Sequence, residues 1–228
     1  MRLYCTGETR VEVATAAAGG AGGVVSGDLS TIAGARKVAD EVNKLGRFDA
    51  VIHNAGIGYR ERRVEMEPGV PSVFAVNVLA PYILTALIER PKRLVYLSSG
   101  MHRGVRPRMD DLLWSKRPGS GSSAYAECKL CDVLLAFAVA RRWKDVASNA
   151  LEPGWVATKM GGPSAPDDLH QGCVTQAWLA TSEDEFARSS GGYFYHQRPR
   201  APNPIAADLR TQEELLAECG RISGIPLD

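Results

Sequence analysis

Apolar positions along the chain fall into two alternating patterns, short runs of apolar residues and 3.6-residue periods, which predict strands separated by helices. The short runs at residues 2–5, 23–26, 50–52, 94–97, 147–151 and 193–195 read as strands. In residues 30–45, Ile32, Ala35, Val38, Val42 and Leu45 recur at helical spacing, with Ser30 or Thr31 as N-cap and Gly46 as the stop. Further helices are predicted over 10–18, 71–89 with a kink at Pro81, 123–143, 172–180 and 209–221. The charged, Pro/Gly-rich stretches 103–121 and 153–166 read as loops, the first with one helical turn near Asp111, and the glycine-dense 19–23 as a turn before a strand. Strands joined through helices imply parallel crossovers, and therefore a doubly wound α/β sheet.

Length and composition narrow this picture. A chain of 228 residues, 45% hydrophobic, suits one α/β domain spanning 1–228 with a core of ordinary size. Lys+Arg number 27 against 26 Asp+Glu, so the net charge of +1 offers no electrostatic reason to expect a nucleic acid or an anionic membrane as partner. Five cysteines, Cys5, Cys128, Cys131, Cys173 and Cys219, are an odd and scattered set, expected as reduced thiols in a cytoplasmic protein. No charged-then-apolar leader opens the sequence, and the apolar run 133–140 is far short of the roughly 20 residues that span a bilayer.

Four short motifs sit at element ends where chemistry is possible. His53-Asn54-Ala55-Gly56 follows a strand; it is either an ordinary tight turn or a small-residue turn admitting a ligand to the crevice of an open sheet. Ser98-Ser99 ends the next strand, with hydroxyls that bind a substrate oxygen or cap the following turn. Tyr125 and Lys129 stand four apart near the start of the longest helix, which places phenol and ammonium on one face. A neighbouring cation favours phenolate, so the pair suits proton transfer, though chance also produces this spacing. Pro153-Gly154-Trp155-Val156 with Thr158 follows another strand, as a Pro-Gly turn or a holder of a ligand amide.

In this order, the motifs resemble the short-chain dehydrogenase/reductase family over about residues 27–195. Supporting positions are Asp28 after a strand, HNAG in place of NNAG, Asn77 in the helix 71–89, the strand 93–99, YxxxK and PGxVxT. The resemblance implies a Rossmann-type fold, a nicotinamide cofactor (NADP ahead of NAD) and a small carbonyl or alcohol substrate. It makes Tyr125 the acid/base, Lys129 the group that lowers its pKa and binds the nicotinamide ribose, and Ser99 the residue that orients the substrate oxygen. Asn77 would hold a relay water. Asp28 would lie by the adenine, Asn54, with Ala55 and Gly56, near the adenosine ribose, and Val156 and Thr158 around the carboxamide. Ser99 precedes Tyr125 by 26 residues, more than the family commonly shows, and the added basic segment with Arg103, Arg106, Arg108, Trp114 and Arg117 reads as a substrate-flanking or a solvated loop.

The family's first strand and TGxxxGxG turn are not found. Thr6-Gly7 begins such a turn, but the later glycine positions fall on Val11 and Val13, whose side chains block close approach of a pyrophosphate. Only 48 residues separate Thr6 from Asn54, so 2–5 aligns with the family's second strand and the domain reads as incomplete at its N-terminus. The strands at 2–5 and 23–26 are then expected either to pair directly with 50–52 or to leave two unpaired edges. This departure keeps two other functions open: a non-catalytic relative acting as a dimeric scaffold, and a cofactor-independent cyclase or dehydratase using Tyr125 as acid.

The remaining candidates receive plainer readings. Cys128-x-x-Cys131 lies mid-helix with no second ligand pair, so buried thiols rather than a metal site are expected. His102 is expected as a solvated loop residue, and Trp143, Trp155 and Trp178 as packing residues. The apolar face of Leu130, Val133, Leu134 and Phe137 exceeds one core contact, and with the resemblance it suggests a homodimer or homotetramer.

Overall fold

The computed structural model describes residues 4–7, 22–60, 63–117 and 121–228, so the helix expected over 10–18 lies outside the described residues. Four parallel strands, β3 (Ala50–His53), β6 (Arg93–Leu97), β7 (Ala147–Leu151) and β8 (Tyr193–Tyr195), form the main sheet in the order β3-β6-β7-β8. A short antiparallel strand, β9 (Arg198–Pro199), hairpins back onto β8 through His196 and Gln197, both at positive φ. Strands β1 (Tyr4–Gly7) and β2 (Gly23–Ser26) form a separate parallel pair. Of the two outcomes expected for them, the structure takes the second: among the described residues they do not pair with β3. Thr6 and Gly7 belong to β1 rather than to a turn. The hairpin β4 (Glu65–Glu67) and β5 (Val70–Pro71) was not expected from the sequence.

Helix α1 (Ile32–Asn43) starts where predicted, Thr31 accepting a hydrogen bond from Gly34 N at 3.0 Å, and Gly46 at φ +90° follows its end. The helix expected over 71–89 is instead three pieces: α2 (Ser72–Phe74), a π-helical turn at Ala75–Leu79, and α3 (Ala80–Leu87). Pro81 continues the helix directly from this π-turn and has no N–H to offer the carbonyl of Asn77 four residues back, so the irregularity falls one turn upstream of the proline. The π-turn carries Asn77 at its centre.

The long helix α4 (Gly121–Arg142) covers one face of the sheet, and Ser148 of β7 donates to its Ala136 carbonyl at 2.8 Å. Helix α5 (Gln171–Thr181) covers the other, with Leu179 and Trp178 against Val95, Leu151 and Phe194. Helix α6 (Leu209–Ser223), N-capped by Asp208 and closed by Gly224 at φ +66°, packs on α4. As a result Leu130, Val133 and Leu134 are wholly buried inside this one chain and Phe137 partly so. That face is therefore covered by the chain's own sheet and helices. The stretch read as a loop over 103–121 contains 3₁₀ turns at Gly100–Gly104 and Met109–Asp111.

Among the described residues no helix is long and apolar enough to cross a membrane. Trp143 is buried and Trp178 stacks edge-on to Phe194, as expected of packing residues. Trp155 departs from that expectation: it is exposed, donating to the Gly161 carbonyl at 2.9 Å.

Candidate active site

Parallel strands deliver their C-terminal ends to one edge, and the candidate residues gather there. Ser98 and Ser99 leave β6 side by side but are used differently. Ser98 is buried and donates to the Lys129 carbonyl at 2.6 Å. The Ser99 hydroxyl accepts from Met101 N at 3.3 Å, capping the next turn, and it lies close enough to the Tyr125 phenol to lower that group's pKa slightly. Tyr125 and Lys129 share one face of α4, the ammonium 5.8 Å from the phenol ring centre. Tyr59 packs edge-on to Tyr125 at 5.9 Å, and Met160 places its sulfur 3.8 Å from the phenol oxygen.

Burial is the largest influence on the Tyr125 phenol and raises its pKa, outweighing the nearby Lys129 ammonium that lowers it. Lys129 itself is buried, and although burial opposes its charge, Asp132 and Tyr125 hold its pKa above the ordinary lysine value. Its ammonium donates to the Leu97 carbonyl and to Asp132 Oδ2, both at 2.8 Å, leaving one N–H without a partner among the described residues.

Asn77 joins this cluster through the π-turn. Its Oδ1 accepts from Ile57 N at 2.8 Å and its Nδ2 donates to Ile57 O at 3.0 Å, which pins the turn after β3. Gly56 lies directly above: a Cβ there would stand 3.1 Å from Asn77 Oδ1 and 3.8 Å from Lys129 Nζ. Asn54 is exposed at the end of β3, and Ala55 half-buried beside it. Asp28 lies across a cavity of about 610 Å³ lined by Gly27, Asp28, Ser30, Ile57, Met66 and Val76, among others. The cavity thus connects the end of β2 to the Asn77-bound turn.

The loop after β7 shows how its motif is used. Thr158 accepts from Gly161 N at 3.1 Å, so its hydroxyl closes its own turn, and Val156 bridges to Asp167. Glu152, directly before Pro153, is buried and paired with Arg103 at 2.5 Å and Arg200 at 2.7 Å. Arg117 pairs with buried Glu127 at 2.6 Å and lies 3.3 Å from Asp111, and Arg108 pairs with Asp110. The basic segment is therefore ordered by its own ion pairs.

His102 corrects an expectation. It is fully buried rather than solvated, its Nδ1–H donating to Ser99 O at 2.6 Å while Nε2 accepts from Asn203 N at 3.1 Å. Both ring nitrogens are committed in the neutral form, and burial lowers its pKa. His53, the first residue of the HNAG turn, is buried with Nε2 3.1 Å from Thr85 Oγ1, and burial lowers its pKa to about 3. The unfolded chain therefore binds a proton that the native state refuses between about pH 6.5 and 3, so stability is lost as pH falls through that window. Replacing His53 with Gln should flatten the acid limb of urea stability by up to about 1.4 kcal/mol per pH unit relative to the parent chain. An unchanged slope would show that His53 takes up its proton in the native state.

Cys128, Cys131 and Cys219 are buried free thiols whose pKa burial raises, and Cys173 is exposed. The sequence reading missed Asp132 and Met160 as neighbours of the site. Asp132 had a legible signal, an acid inside the apolar stretch Leu130 to Leu134, whereas Met160 arrives from a distant loop.

Known proteins resemble the chain in both sequence and fold. The chain is 38% identical to short-chain dehydrogenase chry4 of Gibberella zeae, covering 99% of this chain and 88% of that one. It is 41% identical to the uncharacterized oxidoreductase AN7799 of Emericella nidulans over 98% of this chain and 87% of that one. Among solved structures, an uncharacterized protein from Mycobacterium paratuberculosis superposes with a TM-score of 0.83 at 23% identity, covering 99% and 85% of the two chains. A short-chain dehydrogenase from Burkholderia cenocepacia in complex with NADP gives 0.64 at 20%, covering 85% of each. No family model matches the chain. The chain belongs to the short-chain dehydrogenase/reductase family.

Proposed function

We propose that this chain is a nicotinamide-dependent oxidoreductase that interconverts a carbonyl and an alcohol on a small organic substrate, with Tyr125 as acid/base. The observation that carries the reading is the convergence of Ser99, Tyr125, Lys129 and Asn77, from three separate elements, at the C-terminal edge of one sheet. A nicotinamide nucleotide fits the site in two respects: the cavity from Asp28 to Ile57 has room for the adenosine end, and the spare Lys129 N–H suits a ribose hydroxyl. These features serve NADP and NAD alike, and the order NADP ahead of NAD is carried from the family resemblance. No TGxxxGxG sequence occurs among the described residues, so this support concerns the two ends of the nucleotide and not its pyrophosphate.

When bound, the nicotinamide supplies the hydride. In the reducing direction, the Ser99 hydroxyl holds the substrate oxygen and the Tyr125 phenol donates its proton to that oxygen. Lys129 opposes the effect of burial on the phenol and stabilises the phenolate left behind. Asn77 fixes the turn bearing Gly56, whose lack of a side chain keeps the space above Lys129 open.

Titration of the chain with NADPH and NADH, followed by cofactor fluorescence, tests this reading. Saturable binding, then consumption of the reduced nucleotide with members of a carbonyl panel, is the expected result. A folded chain that binds neither nucleotide would overturn it and favour the non-catalytic scaffold. Turnover without any nucleotide would favour the cyclase or dehydratase.

A further inference from the structure

Asp132 is a buried carboxylate that the reaction above does not use. It is 2% exposed and lies one helical step from Lys129, on the same face of α4. Its oxygen meets the Lys129 ammonium at 2.8 Å, and the Leu97 carbonyl meets the same ammonium at 2.8 Å from the strand side. Two buried charges each lose several kcal/mol of hydration, which close pairing with good geometry offsets only in part. Stability alone is thus a poor reason for the pair.

What the pair does achieve is placement. A lysine has a flexible four-carbon stem and a point charge. Here that charge is clamped between its own helix and the end of β6, beside the phenol. The groups that feel the Asp132 charge are Tyr125, Cys128, Lys129 and Cys131 on α4 and Tyr96 on β6. Tyr96 is bound to Thr85, itself bound to His53, so these facing groups are neutral apart from Lys129. Glu127, the next acid on α4, is tied to Arg117. The field at the phenol is accordingly set by one ammonium and one carboxylate of opposite effect.

Resting on the reading of Tyr125 as acid/base, we propose that Asp132 is a positioning residue: it holds the Lys129 ammonium in place and sets the pH at which the Tyr125 phenol gives up its proton. The carboxylate partly cancels the ammonium as seen from the phenol. Removing its charge while keeping a hydrogen-bond acceptor leaves the ammonium with the phenolate as its only counter-ion. Tyr125 then ionises more easily.

The test is Asp132→Asn, with Asp132→Glu as the charge-conserving control. One readout is the pH dependence of kcat/KM for alcohol oxidation. The other, which needs neither nucleotide nor substrate, is ultraviolet difference titration of tyrosinate in each protein against its Tyr125→Phe counterpart. In Asp132→Asn both limbs should move to lower pH by about one unit, a tenfold change in the proton equilibrium, and Asp132→Glu should restore the parent position. Unmoved limbs in a folded Asp132→Asn protein would overturn the inference and leave Asp132 a structural residue. A shifted titration without turnover would support it while rejecting the oxidoreductase reading. Should Asp132→Asn not fold, Lys129→Met is compared with Lys129→Met/Asp132→Leu, which removes both buried charges together. Tyr125 should ionise about one unit lower in the double variant, and equal values would reject the proposal.

Discussion

Tyr125→Phe should reduce carbonyl reduction by about 10²- to 10⁴-fold, the usual contribution of one positioned acid, while leaving nucleotide affinity within a few-fold of the parent. The phenol oxygen holds little of the structure together: its one hydrogen bond among the described residues is the long one to the Met160 sulfur. Packing of the ring against Tyr59 survives the substitution, and the residue is buried, so phenylalanine keeps the fold. The kcat of single-turnover reduction is the quantity to measure, alongside the nucleotide dissociation constant. A fall in affinity as large as the fall in rate would mean that the phenol holds the nucleotide rather than transferring a proton. A fall of less than tenfold would remove Tyr125 as the acid.

The second large effect is expected far from the chemistry, at Gly34→Ala. Alanine is favoured over glycine in a helix interior by about 1 kcal/mol, so propensity predicts a more stable α1. Geometry predicts the reverse. A Cβ at Gly34 would stand 1.9 Å from the Asp28 carbonyl oxygen and 2.8 Å from both the Asp28 carbonyl carbon and Thr31 Oγ1. Backbone must move, and it is the backbone that lines the cavity between β2 and the Asn77-bound turn. Overpacking of this kind costs about 1–3 kcal/mol, and the N-cap bond from Gly34 N to Thr31 is strained as well. Urea denaturation should show a net loss of about 2 kcal/mol, with nucleotide affinity weakened at least tenfold. Stabilisation by the propensity amount would show that the approach of α1 to Asp28 relaxes freely.

The strands of the main sheet were legible because each is a short apolar run ended by a turn residue, and α1, α4 and α6 because their periods are long. What stayed hidden depends on partners distant in sequence. Met66 is flanked by glutamates, so β4 has no apolar run to announce it, yet Glu67 accepts from Ile32 N at 3.0 Å across 35 residues. The segment 103–121 looks solvated because it is charged, but Arg117 meets Glu127 and Asp111, which makes those charges structural. His102 and Trp155 changed places for the same reason. A histidine with two backbone partners is cheap to bury, and an indole whose N–H finds a carbonyl at the surface is not forced inward. Of the candidate site, Ser99, Tyr125, Lys129 and Asn77 converge. Asp28 faces the far end of a cavity, and Thr158 uses its hydroxyl on its own loop. Their order along the chain made the site readable. Asp132 left a trace, an acid inside an apolar stretch, whereas the Met160 contact depends on a loop 35 residues away in sequence.

The π-turn at Ala75–Leu79 gives the helix after β5 an unusual independence between its two halves. A π-turn is a helix holding one residue more than an α-turn would, commonly at functional sites, and one residue corresponds to about 100° of rotation. The face that α3 presents to α1 and the face that sends Asn77 toward Ile57 are therefore out of phase by an amount that a single insertion or deletion can change. Loss of one residue between 75 and 79 would let the ladder run as a continuous α-helix, keep the apolar register of α3, and turn Asn77 away from the strand ends. Because Ala75, Val78 and Leu79 also belong to the core, a change of length here would be felt in the packing of the domain and at the site together.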